Sequence, residues 1–172
     1  VDKAKDLGID KITGGRAVVS GNILSGRSDI FAANERGKNF LYFNTNGEYT
    51  EIASDYSIDD PYENGRGTAL SDLYYRGRLD ILASNWQGPH RAYALKNNEF
   101  IDIANNNFQT PSRIRTVISA DFDNDGYDEI FMAPLPLSRR SQILHACFGQ
   151  SVAPLIARKM AVLSSAVRWT TA

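Results

Sequence analysis

The chain has 172 residues with 20 acidic and 19 basic side chains and a net charge of −1, enough for one ordinary domain and without the basic surplus of a nucleic-acid binder. Its one cysteine, Cys147, excludes a disulfide within the chain and leaves the redox compartment unread. No apolar run is long enough to span a bilayer, no charged-then-apolar leader follows Val1, and there is no Asn-x-Ser/Thr sequon.

Repetition organises the chain. Residues 14–53 laid over 65–104 at a constant offset of 51 align Gly26 with Gly77, Arg27 with Arg78, Asp29 with Asp80 and Ile30 with Ile81. The match continues without a gap through Asn34 and Asn85, Tyr42 and Tyr93, and Ala53 and Ala104. A third copy begins at Arg115, offset 49 from the second, so that Asp121 falls on Asp72 and Gly126 on Gly77. Ala4–Ile9 aligns with Ala53–Ile58 and reads as the end of an earlier unit.

In chain order the expected organisation is the end of one blade (1–13), a blade (14–64), a second blade (65–114), a partial blade (115–133) and a non-matching tail (134–172). Four short apolar segments make up the second unit, namely Thr68–Leu70, Leu79–Ala83, Arg91–Leu95 and Phe100–Ile103, parted by Gly, Pro and Asn turns. Four strands per repeat with a period near 50 predict an all-β chain of β-propeller blades, each of four antiparallel strands, in an incomplete propeller. A β-sandwich of duplicated halves is the competing architecture. Two whole units, one begun and one ended, predict a fragment of a ring that closes with about four to eight blades.

The third unit carries the clearest chemistry. Asp121-Phe122-Asp123-Asn124-Asp125-Gly126-Tyr127-Asp128-Glu129 places carboxylates at positions 1, 3, 5 and 9 around a glycine. Calcium takes six to eight oxygens in a flexible shell, so Asp121, Asp123 and Asp125 would give side-chain oxygens, Tyr127 its backbone carbonyl and Glu129 a closing carboxylate. An EF-hand would need a bidentate Glu at position 12, where Met132 stands, and helices where the β-branched and aromatic flanks predict strands. The bland alternative is an acidic surface turn, since Asp, Asn and Gly are ordinary turn formers. In the second unit the same positions hold Asp72, Tyr74, Arg76 and Asp80, and the cationic Arg76 opposes a bound cation. In the first unit Gly21, Ile23, Ser25 and Asp29 supply one carboxylate, too little charge for calcium. Asp29 and Asp80 are expected to brace their turns.

The tail from Pro134 to Ala172 holds no acidic residue, while Arg139, Arg140, Arg158, Lys159 and Arg168 make it basic. Prolines interrupt it and no period-2 pattern appears, which predicts an irregular segment; Ile156, Met160, Leu163 and Val167 at helical spacing permit a short amphipathic helix. An altered reading frame, a splice variant or a faulty gene model accounts for such a composition as well as a functional tail does.

The phrase Asp-Phe-Asp-Asn-Asp-Gly-Tyr-Asp-Glu-Ile resembles the calcium hairpin of FG-GAP or VCBS repeats, the blades of integrin-α-type propellers. Glu63-Asn64-Gly65-Arg66-Gly67, Gly77-Arg78-Leu79-Asp80-Ile81 and Asn85-Trp86-Gln87-Gly88-Pro89-His90-Arg91 narrow this, being similar to the cartilage acidic protein family over roughly residues 1–133. The resemblance implies a secreted or extracellular calcium-binding propeller that serves as an interaction scaffold for a protein or glycan partner at the matrix or cell surface, with no catalytic site. The rival is an accessory propeller of a secreted glycan- or lipid-processing enzyme. Against catalysis by this segment, His90 lies in a turn distant in sequence from the acidic loop and reads as a hydrogen-bonded surface residue, and His145 falls in the tail. Neither a Ser-His-Asp set, a phosphate loop nor zinc spacing is present. Tyr42, Tyr93 and Trp86 read as blade core or inter-blade packing, with Trp86 on a loop where it could touch a ligand.

Overall fold

The computed structural model describes residues 1–134 and 145–146. The described elements are all strands: β1 (Gly15–Gly21), β2 (Asp29–Asn34), β3 (Phe40–Thr45), β4 (Glu48–Glu51), β5 (Gly65–Ser71), β6 (Asp80–Asn85), β7 (Arg91–Lys96), β8 (Glu99–Asp102), β9 (Ile114–Ala120), β10 (Glu129–Pro134) and β11 (His145–Ala146). They form two four-stranded antiparallel meanders, β1-β2-β3-β4 and β5-β6-β7-β8, and a three-stranded sheet β9-β10-β11. Consecutive strands pair throughout, so the sheets are propeller-like blades rather than the Greek-key halves of a sandwich.

Burial alternates along the strands as the period of two requires. In β2, Phe31 and Ala33 are fully buried while Ile30 and Ala32 are half-exposed; in β10, Ile130 and Met132 are buried while Phe131 and Ala133 are not. Strand β6 differs, with all six residues buried. Ile81 and Ala83 enter a core with Phe31, Leu41, Ala53, Ile58 and Tyr93 on the first sheet's side, and Leu82 enters a second core with Phe108, Ile114, Val117 and Ile130 on the third sheet's side. The middle blade is covered on both faces, and each outer blade on one. Val18 and Ile118 accordingly remain exposed.

The innermost strands approach closely. A Cβ on Gly67 would lie 2.7 Å from Thr116 Cα and Val117 N, so only glycine lets β5 meet β9 here. This extends the first strand of the second blade to Gly65, three residues before the predicted segment. Leu79, by contrast, stays outside β6: its N–H donates to Asn22 C=O at 3.1 Å across to the first blade. The turn after each blade repeats as well, since Ile9 N–H donates to Ala4 C=O (2.9 Å) as Ile58 N–H donates to Ala53 C=O (3.0 Å).

The third sheet differs from the two strands expected of a partial blade ending at Ala133. His145 and Ala146 pair with Phe131 and Ile130 along the free edge that β10 presents. The predicted helical positions Ile156, Met160, Leu163 and Val167 lie outside the described residues.

Candidate metal centre

The loop between β9 and β10 is built by its own carboxylates. Asp121 accepts the Asp125 N–H through Oδ1 (3.1 Å) and the Gly126 N–H through Oδ2 (3.0 Å), closing the turn over Gly126, whose φ of +91° favours glycine. Asp123 Oδ1 accepts the same Asp125 N–H at 3.1 Å, and Glu129 Oε2 accepts the Phe122 N–H at 2.8 Å from across the hairpin. One carboxylate oxygen each from Asp121, Asp123 and Glu129 lies within 4.8 Å of the others. A calcium ion about 2.4 Å from each ligand oxygen spans pairs up to about 4.8 Å apart, and ionised carboxylates keep lone pairs beyond those given to the backbone. The donors are all hard oxygens, and the residues present fit such a cation.

Of the other two expected ligands, the Asp125 side chain is not part of that triad, and Tyr127 was expected to contribute its backbone carbonyl. The Asp125 carboxylate accepts the Tyr127 N–H at 2.9 Å through Oδ1. Tyr127 turns its ring onto Tyr75 of the second blade's loop, edge to face at 4.8 Å. Asp128 is not among the ligands that the spacing predicts. Its Oδ2 accepts the hydroxyls of Ser71 on β5 (2.7 Å) and Ser119 on β9 (3.1 Å), tying the acidic loop to the neighbouring blade. Only the alternation of strand residues could have hinted that two serines converge there.

The second loop shares the scaffold and replaces the cation. Asp72 accepts Arg76 N–H (2.8 Å) and Gly77 N–H (2.6 Å) as Asp121 accepts Asp125 and Gly126, and Asp80 Oδ2 accepts Leu73 N–H (3.1 Å) as Glu129 accepts Phe122. Arg76, where the third loop has Asp125, sends its guanidinium to Asp80 Oδ1 and to Leu95 C=O (2.7 Å). Burial pushes the Asp80 carboxyl up to about 6 despite the opposing pull of Arg76 and the Leu73 N–H. In the first loop Ile23 is fully buried, and Asp29 braces the turn by accepting from Leu24 (2.7 Å), Ser25 (2.8 Å) and Asn44 (2.9 Å).

His90 is hydrogen-bonded but is not the surface residue expected from its turn. It is fully buried, its Nδ1 accepts the Asn85 N–H at 2.9 Å, and its Nε2 therefore donates to Ser112 Oγ at 2.7 Å. Burial lowers its pKa to about 4. Its counterpart one repeat earlier is Asn39, whose Oδ1 accepts the Asn34 N–H at 3.0 Å. Asn34 and Asn85 each donate from Nδ2 at 2.7 Å, to Lys38 C=O and Pro89 C=O. The histidine thus performs a repeated clasp of the β6–β7 turn. Tyr42 and Tyr93 are buried as expected of blade core.

Residues 72–132, from the second loop through the third, match the FG-GAP-like repeat. That stretch is an FG-GAP-like repeat. The chain is also 48% identical over 136 residues to cartilage acidic protein 1 of Mus musculus, and equally so to that of Homo sapiens, in each case over 76% of this chain and 21% of the relative. Cartilage acidic protein 1 of Xenopus tropicalis is 48% identical over 134 residues, 74% of this chain and 21% of its own. The chain therefore spans about a fifth of the length of these relatives. No helix among its described residues is long and apolar enough to cross a membrane.

Proposed function

We propose that this chain is a calcium-binding, non-catalytic part of an extracellular β-propeller scaffold that engages a protein or glycan partner. The observation that carries the metal assignment is the convergence of Asp121, Asp123 and Glu129 within 4.8 Å in the one loop of three where no basic or apolar side chain takes a ligand position. Asp125 and the Tyr127 carbonyl complete the proposed set. A bound cation would neutralise the crowded carboxylates and hold the β9–β10 turn in its native shape, so binding would couple to folding. Support for an extracellular setting comes from relatives named for cartilage, a tissue of extracellular matrix. His90 is taken up in a structural clasp, which supports the non-catalytic reading.

The test is calorimetric titration of calcium into chelator-treated protein, with an Asp123→Ala, Asp125→Ala variant beside it. One stoichiometric site, lost in the variant, is the expected result. Absence of heat in a chain that circular dichroism shows to be folded would overturn the calcium assignment and leave an acidic turn.

A further inference from the structure

Two stretches singled out in the sequence, 63–67 and 85–91, meet at the end of the sheets opposite the acidic loop. Trp86 N–H donates to Asn64 C=O at 2.8 Å, and the Trp86 backbone bridges to Arg113, just before β9. Three guanidinium groups surround the half-buried indole: Arg115 at 5.3 Å, Arg66 at 5.4 Å and Arg113 at 5.8 Å from its centroid. Arg66 also pairs with Glu35 at 2.6 Å, and Glu35 in turn holds Arg16. Arg113 and Arg115 make no ion pair among the described residues.

Three like charges around one ring repel each other, and attraction to the indole offsets only part of this. Arg66 spends its N–H groups on Glu35 and the Gly65 carbonyl, whereas Arg113 and Arg115 carry no ion pair among the described residues, and a guanidinium edge matches a tetrahedral oxyanion in bidentate fashion. Arginine supplies every cation here, on a base of paired strands and a clasped turn. We propose that the Trp86 cluster binds a sulfated glycan, with sulfate groups received first by Arg113 and Arg115 and then by Arg66. A polymer with closely spaced, fully ionised sulfates suits several guanidiniums gathered at one ring better than the carboxylates of an acidic peptide do. The acidic loop does not interfere: Arg115 is the second residue of β9 and Asp121 follows its last, a separation of about 20 Å at strand rise, beyond the Debye length of about 8 Å in physiological salt.

This assignment names the partner chemistry of the scaffold proposed above and needs no calcium. The test uses the full chain carrying Trp169→Phe, which leaves Trp86 as the sole tryptophan, with folding verified by circular dichroism. A heparin-derived oligosaccharide, its desulfated counterpart and poly-glutamate are titrated at two salt concentrations, in calcium and in chelator, with Trp86 fluorescence as readout. The expected result is binding of the sulfated oligosaccharide alone, weakened several-fold by Arg113→Gln and again by Arg115→Gln, with a salt dependence that falls by about one unit per arginine removed. Arg115→Lys should recover part of the affinity through charge without the fork. No binding by the folded chain, equal binding of the desulfated sugar, tighter binding of poly-glutamate, or indifference to both substitutions would each overturn the proposal. Calcium binding at the acidic loop without glycan binding would overturn it while leaving the scaffold reading standing.

Discussion

Arg76 sends its guanidinium onto Asp80 in the second loop, at the positions where the third loop carries Asp125 and Glu129. The backbone turns of the two loops are held by equivalent Asp72 and Asp121 bonds, so one hairpin scaffold exists in a version with a built-in cation and a version that presents only carboxylates. Covalent attachment of the cation should make the second blade independent of metal.

Replacing Arg76 with Ala should therefore destabilise the chain. Asp80 is 1% exposed and would lose its ion pair, while Leu95 C=O would lose a donor. Arg76 is itself 34% exposed, so the cost is below that of a fully buried pair, about 1–3 kcal/mol. Urea unfolding measures it. Adding Asp80→Asn should return part of the loss, because the neutral amide needs no counter-charge; an unchanged midpoint in Arg76→Ala would show that the pair contributes nothing.

Calcium should raise stability through the third loop alone. For affinities of about 0.1–1 mM, 2 mM calcium contributes about 0.7–1.8 kcal/mol by mass action. Thermal melts with calcium and with chelator should differ in the native chain and coincide in Asp123→Ala, Asp125→Ala. They should still differ in Arg76→Ala, since that substitution lies in the other loop.

Acid should weaken the fold through His90. Its folded pKa of about 4 lies below the ordinary 6.5, so its contribution is complete above pH 6.5 and is lost as pH falls toward 4, amounting to about 3 kcal/mol across that window. Asp80 has the opposite sign: raised from 3.8 to about 6, its carboxyl favours the folded state most below pH 3.8, and that contribution is lost as pH rises through 6. His90→Asn separates the two. Asn39 already accepts the equivalent N–H in the first blade, so asparagine at 90 should keep the clasp at a cost of about 1 kcal/mol at pH 7 and flatten the acid limb between pH 6.5 and 4. Denaturant midpoints at pH 7 and 4.5 decide it, and an unflattened limb would assign the acid loss elsewhere.

Gly67→Ala should loosen the contact between the second and third blades. The new methyl would stand 2.7 Å from backbone atoms of Thr116 and Val117, which no side-chain rotation relieves, at a cost of about 1–3 kcal/mol. Gly37, with open space around its Cα, is the control, where alanine should change the melting temperature little. Equal effects at the two positions would refute the close approach.

Local periodicity and turn residues alone determined that this chain forms repeated antiparallel hairpins, because alternation of apolar side chains and positive-φ glycines act within a few residues. The spacing of Asp121, Asp123 and Glu129 was legible for the same reason: an eight-residue hairpin loop and the first residue of the strand after it bring their own carboxylates together whatever surrounds them. Tertiary structure decided everything that depends on a neighbouring blade. Whether β6 is buried on one face or two, why Gly67 and not another residue faces Thr116, and how Asp128 finds Ser71 are set by sheets stacking across long separations in sequence. His90 shows the limit most plainly. A histidine beside Gly88 and Pro89 reads locally as a surface turn, yet the packing of Phe108 against its ring and the Asn85 N–H against Nδ1 remove it from water, and burial, which no local pattern encodes, sets both its role and its charge.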